Sequence, residues 1–256
     1  MARVSVITIV KEHASGLELT HKSLQGQDFC DWEMVIVVGA STDGSLALAT
    51  KFQSNDSRIR AIEQQGLGIY AAMNEGLNAA GADFIWFMNA GDRFAHTSVV
   101  AHAIYELEHQ NATIIVGGYQ IDSESKLQTY SYPKRHISII GFAFNRRSGC
   151  HQAMIFRKQA LRAEGGFNMK YSLAGDFDLV LKIIKKERVI RVPEVYALVE
   201  PGGRADQGIF LVHRQKHEIR REILGGPIVF IASILWTLLA RVKIISRRTS
   251  SQEKIV

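Results

Sequence analysis

The chain is poor in cysteine. Cys30 and Cys150 are its only two in 256 residues, too few for a disulfide framework. Cys150 stands beside His151, but two adjacent candidate ligands make a weak metal signature, and a buried free thiol is the expected state. No charged-then-apolar signal segment opens the sequence, so a reducing, cytoplasmic setting is expected. Internal repeats and low-complexity stretches are lacking too, which excludes solenoids and disordered arrays. The first 213 residues also lack any excess of charge, with 22 Lys/Arg against 22 Asp/Glu. The whole net charge of +6 arises from Arg214 onward, where nine basic residues meet three Glu. A basic pI confined to a tail gives the main domain no nucleic-acid face, and no nucleic-acid partner is expected.

What is present is enough apolar matter, 46% of residues, to bury a sizeable core in one domain with a tail. The central stretch is Phe84 to Asp92, F-I-W-F-M-N-A-G-D, an apolar run that stops on an acidic turn. A run this short reads as a fully buried strand. Its polar end then opens at the carboxyl edge of a sheet, where ligands bind in open α/β proteins. Asn89 and Asp92 stand at that edge, with Gly91 keeping the turn tight; Asp92 as a simple cap of the following helix is the alternative.

The rest of the chain alternates strands and helices around that run. Strands are predicted at Arg3 to Val10, Glu33 to Val38 and Arg58 to Ile62, and a helix spaced by Leu17, Leu19 and Leu24 follows the first. The turn Gly39 to Ser45 offers Ser41, Thr42 and Asp43 as caps for a helix through Leu46, Leu48 and Ala49. A glycine loop at Gly66 and Gly68 enters a helix running to Leu77. Short links between alternating elements imply a parallel sheet with right-handed crossovers. Beyond Asp92, strands are expected at Thr113 to Tyr119, Leu127 to Tyr132, Gln152 to Arg157, Arg188 to Val192 and Val195 to Val199. Pro133 to Gly149 reads as loop, and a helix starts around Asp176 with Leu179, Leu181, Ile183 and Ile184 apolar.

At one sheet edge this order collects the Asp43 turn, the glycine loop, and Asn89 with Asp92, with a further carboxylate at Asp176. Backbone amides at helix starts, a metal-bridging carboxylate and a separate base suit a nucleotide diphosphate leaving group and an incoming hydroxyl.

Taken together, V-S-V-I-T-I-V, G-A-S-T-D-G-S, G-I-Y-A-A-M-N-E-G, F-M-N-A-G-D, H-Q-A-M-I-F, G-D-F-D-L-V-L-K-I and the Gly202-Gly203 pair resemble the family 2 inverting glycosyltransferases of GT-A fold. Within that family they are similar to the branch that builds bacterial surface polysaccharides such as colanic acid. The resemblance covers about Ala2 to Leu224. It implies an α/β, Rossmann-like, mostly parallel mixed sheet flanked by helices, in a GT-A domain over residues 1–212 with a basic, apolar helical tail over 213–256. It also implies an inverting hexosyltransferase that uses a nucleotide-sugar donor, a UDP-sugar above others, and a saccharide or lipid-linked acceptor. By the same resemblance Asp176 is the catalytic base, and Asp92 holds a divalent Mn2+ or Mg2+ ion. Thr8, Asp43, Gly68, Asn74, Asn89 and Asp92 bind the nucleotide sugar, and His151 with Gln152 lies near the sugar or acceptor. Two positions depart from the family pattern: Val38 stands where a base-contacting aspartate is usual, and Ala71 where an acidic residue follows the tyrosine.

Two other readings stand beside this one. Gly66-x-Gly68-x-x-Ala71 imitates a dinucleotide-binding fingerprint, but follows the third strand instead of the first. A catalytically inactive, glycosyltransferase-like scaffold subunit would use the basic tail as its working part. In that tail Ile223 to Ala240 is free of charge and at the lower limit of a membrane span, interrupted by Gly225, Gly226 and Pro227. It reads either as a helix in the membrane interface at the cytoplasmic face or as one packed on the domain or a partner.

Overall fold

A computed structural model describes residues 2–123, 126–131, 133–144, 150–202 and 208–231. Residues 145–149, Gly203 and the tail from residue 232 lie outside these.

The first half is the expected repeat: β1 (Val4–Val10), α1 (Ala14–Gln25), β2 (Trp32–Val38), α2 (Ser45–Asn55), β3 (Ile59–Glu63), α3 (Ile69–Ala79) and β4 (Phe84–Phe87). β1 pairs in parallel with both β2 and β4, and β2 with β3. After β4 come β5 (Arg93–Phe94), α4 (Val99–His109), β6 (Ile114–Ser123), β7 (Lys126–Tyr130), β8 (Arg135–His136) and α5 (Ile139–Phe144). A single 3-10 turn (His151–Ala153) leads into β9 (Met154–Arg157), α6 (Lys158–Ala163), α7 (Gly175–Lys186), β10 (Val189–Val199) and α8 (Ile209–Leu224).

Among the described residues the strands form one ten-stranded mixed sheet in the order β3-β2-β1-β4-β9-β6-β10-β5, with β7 on β6 and β8 on β10. β9 runs antiparallel to both its neighbours, β4 and β6, and so joins the parallel half of the sheet to the remainder. Side-chain alternation divides the core between the two faces. Ile7, Val35, Val37, Ile85 and Phe87 meet α3 and α7 on one face. Val6, Met34, Ile36 and Trp86 meet α1 and α4 on the other.

Several local expectations are corrected. The predicted strand from Gln152 begins at Met154 because the 3-10 turn takes His151 to Ala153. The two strands after Arg188 are one, β10, whose register against β6 shifts between Arg191 and Val195; Pro193, which has no N–H to give the ladder, lies in that gap. Leu19 and Leu46 are exposed, so α1 packs through Leu17, Thr20, His21 and Leu24 instead. Asp92 caps no helix, since α4 starts only at Val99.

Candidate active site

All four residues of β4 are buried, and the chain continues beside β1 as Met88 and Ala90 donate N–H bonds to the carbonyls of Ile7 and Ile9. The turn Asn89 to Asp92 then closes with the Asp92 N–H on the Asn89 carbonyl at 3.0 Å and Gly91 at φ +98°, a backbone conformation that side chains disfavour. Thr20, fully buried on α1, clasps this turn: its hydroxyl donates to the Asp92 carbonyl at 2.7 Å and accepts the Gly91 N–H at 3.0 Å.

The Asp92 side chain is 4% exposed. Its Oδ2 accepts Gln152 Nε2–H at 2.8 Å and its Oδ1 accepts the Glu200 N–H at 3.0 Å. Burial pushes this carboxyl up to about 6, against the pull of the Gln152 and Glu200 hydrogen bonds. Gln152 is held in turn by the Cys150 thiol at 2.6 Å, and its carbonyl accepts the Trp86 indole N–H at 2.7 Å. Cys150 is a free, partly buried thiol whose burial raises its pKa.

The antiparallel register of β10 on β5, Leu198 opposite Arg93, brings Glu200 opposite Gly91 when continued two residues. The Glu200 carboxylate fills the space a Gly91 side chain would take. It is half exposed and 3.6 Å from His13 Nε2, at the start of α1.

Asp176 is the second residue of α7. Its Oδ1 accepts the Phe177 N–H at 2.8 Å and the Tyr70 hydroxyl of α3 at 3.2 Å. Its Oδ2 faces His151 Nδ1 at 3.5 Å, with the aspartate side chain 31% and the histidine 15% exposed. Burial alone would raise the Asp176 pKa; the hydrogen bond and charge of His151, then the charge of Lys216 and the Phe177 N–H, bring it below the usual carboxylate range. On its other side the His151 ring carries Nε2 to 3.3 Å from Asn89 Nδ2.

Beside the turn opens a cavity of about 690 Å³ lined by Ile9, Val10, Lys11, His13, Gln64, Gly66, Gly68, Asn89 and others. Gly68, at φ +92°, and Asn89 therefore line the cavity, while Asp92, Gln152, His151 and Asp176 form a connected group behind and beside Asn89. Thr8, Asp43 and Asn74 are not among the residues that line this cavity. Thr8 is fully buried within β1, its hydroxyl without a hydrogen-bond partner. Asp43 accepts the N–H of Ala14 and bonds from Ser45, tying the start of α1 to that of α2. Asn74 spends its amide on the Phe167 backbone, donating to its carbonyl and accepting its N–H. The glycine loop does not offer all its amides either, since those of Gln65 and Gly66 donate to Glu75.

Asp92, the expected holder of a divalent ion, already accepts one protein hydrogen bond on each oxygen in a nearly closed space. Among the described residues no group of three or more His, Cys, Asp or Glu side chains stands where it could hold a metal ion. The carboxylate that does reach solvent at this turn is Glu200.

The sheet, with its acidic turn at the carboxyl end of β4, defines a GT-A glycosyltransferase fold. It overlays S. aureus TarS (residues 1–349, solved with UDP-GlcNAc) with a TM-score of 0.71 at 16% identity, over 86% of this chain and 65% of that one. It overlays the mannosyltransferase PcManGT of Pyrobaculum calidifontis, solved with GDP-Man and Mn2+, at a TM-score of 0.62 and 18% identity, over 87% and 61% of the two chains. The chain thus spans less than two thirds of the length of either. It belongs to glycosyl transferase family 2, whose family model matches residues 5–165. An uncharacterized glycosyltransferase of Mycobacterium tuberculosis is 29% identical over 180 residues, 70% of this chain and 68% of that one. A PGL/p-HBAD biosynthesis glycosyltransferase of Mycobacterium bovis is 24% identical over 188 residues, 73% and 71% of the two.

Proposed function

We propose that this family 2 glycosyltransferase moves a hexose from a nucleotide-diphosphate donor, a UDP-sugar above others, to a hydroxyl of a saccharide or lipid-linked saccharide, with inversion. The observation that carries the reading is the position of Asp176. Its carboxylate is ionised at neutral pH, a third exposed, and linked through one imidazole ring to Asn89 at the wall of the large cavity. In a single displacement the acceptor oxygen bonds to the anomeric carbon, the bond from that carbon to the diphosphate breaks, and Asp176 takes the hydroxyl proton. The nucleotide and its diphosphate occupy the cavity between Lys11, His13, Gly68 and Asn89.

A divalent ion, when bound, would neutralise the departing diphosphate; on this chain Glu200 is the side chain that would hold it. Asp92 has a different part, locking the turn against Gln152 and the end of β10. GT-A likeness to a mannosyltransferase solved with Mn2+ supports the ion, and likeness to TarS solved with UDP-GlcNAc supports a uridine donor.

Calorimetric titration of UDP, GDP and ADP, each with and without manganese, tests this reading. One nucleotide is expected to bind more tightly with manganese, and Glu200→Gln to remove the manganese-dependent gain while leaving metal-free binding within about twofold, as expected for loss of one ion-binding carboxylate. If no nucleotide binds under either condition, the donor site is refuted and a non-catalytic scaffold takes its place.

A further inference from the structure

His151 lies between the two halves of the site, and its surroundings assign it a part other than contact with the sugar or acceptor. The proton on its Nδ1 is fixed by what it faces. An ionised carboxylate oxygen, Asp176 Oδ2 at 3.5 Å, needs a donor opposite it, so Nδ1 carries the hydrogen. The far nitrogen is fixed by Asn89, whose amide nitrogen is 3.3 Å away while its Oδ1 is buried without a partner. The Asn89 amide N–H donates to Nε2, and the ring, with its hydrogen on Nδ1, bridges Asp176 and Asn89.

The backbone under the ring is rigid. The neighbouring Gln152 is pinned by its side chain to Asp92 and by its carbonyl to Trp86, so the 3-10 turn cannot carry His151 away. Asp176 is equally constrained at Oδ1 by Phe177 and Tyr70, which leaves Oδ2 as the oxygen that His151 orients. Both distances to the imidazole exceed those of a well-formed hydrogen bond, as catalytic contacts do before the complex assembles and tightens them.

We propose that His151 is a positioning residue for the base: through Asn89 and Asp176 it fixes the proton-accepting carboxylate relative to the wall of the donor cavity. The ring, its Nδ1 hydrogen turned to Asp176, takes no proton from the acceptor. This rests on Asp176 being the base of the reaction proposed above, and the test separates the two. The groups facing Asp176 are Tyr70 from α3, Cys150 and His151 at the 3-10 turn, Lys216 from α8 and the Phe177 N–H; His151 and Cys150 also feel the charge of Asp92. Replacing His151 leaves the others in place.

Two isosteric replacements divide the bridge. His151→Asn puts an amide nitrogen near the Nδ1 position and keeps the bond to Asp176. His151→Gln reaches the Nε2 position and keeps the bond to Asn89. Nucleoside diphosphate release is measured in the full chain with UDP-N-acetylglucosamine, UDP-glucose and GDP-mannose as probes, across pH, for these variants, His151→Ala and Asp176→Asn.

His151→Ala is expected to lower kcat about 100-fold with nucleotide Kd within about twofold of wild type, and to move the acid limb of kcat to higher pH, because Asp176 loses a donor to its charged form. His151→Asn should recover most of kcat and His151→Gln little of it. Proton NMR of the resting protein adds a readout independent of turnover: an imidazole N–H signal shifted downfield by the carboxylate, moving upfield in Asp176→Asn. Equal recovery by Asn and Gln, a Kd weakened as much as kcat, or the absence of that downfield signal overturns the proposal. Full turnover in Asp176→Asn overturns instead the choice of base.

Discussion

Asp92 shows at the level of one residue how burial changes a part. Sequence places a carboxylate at the end of a buried strand, where an ion or a ligand is the natural partner; the fold closes 96% of it off, inverting its 4% exposure, and gives both oxygens to Gln152 and Glu200. Its folded pKa, about 6, lies above the ordinary 3.8. Since the folded value is the higher, the stability it confers is fully present below the ordinary value and is lost as pH rises through 6, a loss of about 3 kcal/mol at neutral pH. Asp92→Asn keeps the shape without the charge, and its stability relative to wild type should improve by about that amount between pH 4 and pH 7, as read from urea denaturation. A difference that stays constant across this range would refute the burial account. Sequence showed Asn89, Gly68, Asp92 and Asp176 as residues of this edge because turn and helix-start chemistry is local. Thr20, Tyr70 and Glu200 had no such signal: their partners lie 71, 106 and 108 positions away. Asn74 clips the Phe167 backbone and Thr8 lies in the sheet interior.

At the level of elements, the first four strands and three helices were legible because apolar runs and glycine turns alternate at short range. Past β4 the legibility fell, since β9 and β10 take their direction and register from distant strands; Pro193 made one strand look like two. The packing of α7 on α3 is another tertiary fact with functional weight. Gly175 faces the Tyr70 ring so closely that a β-carbon there would collide with it, and the next residue is Asp176. A methyl group at this contact overpacks, at about 1–3 kcal/mol, and the helix start that carries the base has to move. Gly175→Ala should therefore lose stability by that amount and lose turnover about tenfold or more through displaced catalytic geometry. Tyr70→Leu, which removes the colliding ring, should restore stability in the double variant, and a double-mutant cycle should give a coupling energy above about 1 kcal/mol. Strict additivity would show that the two residues do not press on each other. The Ala71 departure has a packing counterpart as well: its β-carbon lies directly under Gly66, and Glu75 supplies the carboxylate that caps the loop amides.

At the scale of the whole molecule, exposed apolar residues and a run of basic ones follow one another at the C-terminal end of the sequence. The division proposed from sequence, a GT-A domain over 1–212 and a basic helical tail over 213–256, meets a helix α8 that packs on α7 through a fully buried Ile219 and ties Glu222 to Lys170 and Tyr171. Gly225, at φ +85°, turns the chain at the Gly-Gly-Pro interruption, and Ile228, Phe230 and Ile231 then stand 47%, 68% and 58% exposed. No helix among the described residues is long and apolar enough to cross a membrane. Exposed apolar side chains, followed in sequence by Arg241, Lys243, Arg247 and Arg248, suit a surface that is apolar below and anionic above. The full chain is therefore expected to sediment with vesicles containing phosphatidylglycerol and not with neutral phosphatidylcholine vesicles, and to be released by raised salt. A chain ending at Leu224 should stay in the supernatant, and the full-length Phe230→Ser, Ile231→Ser variant should bind about tenfold more weakly through lost apolar burial. If the full and shortened chains partition alike, the tail has no membrane role; if neutral vesicles bind as well as anionic ones, its basic residues do not direct it there.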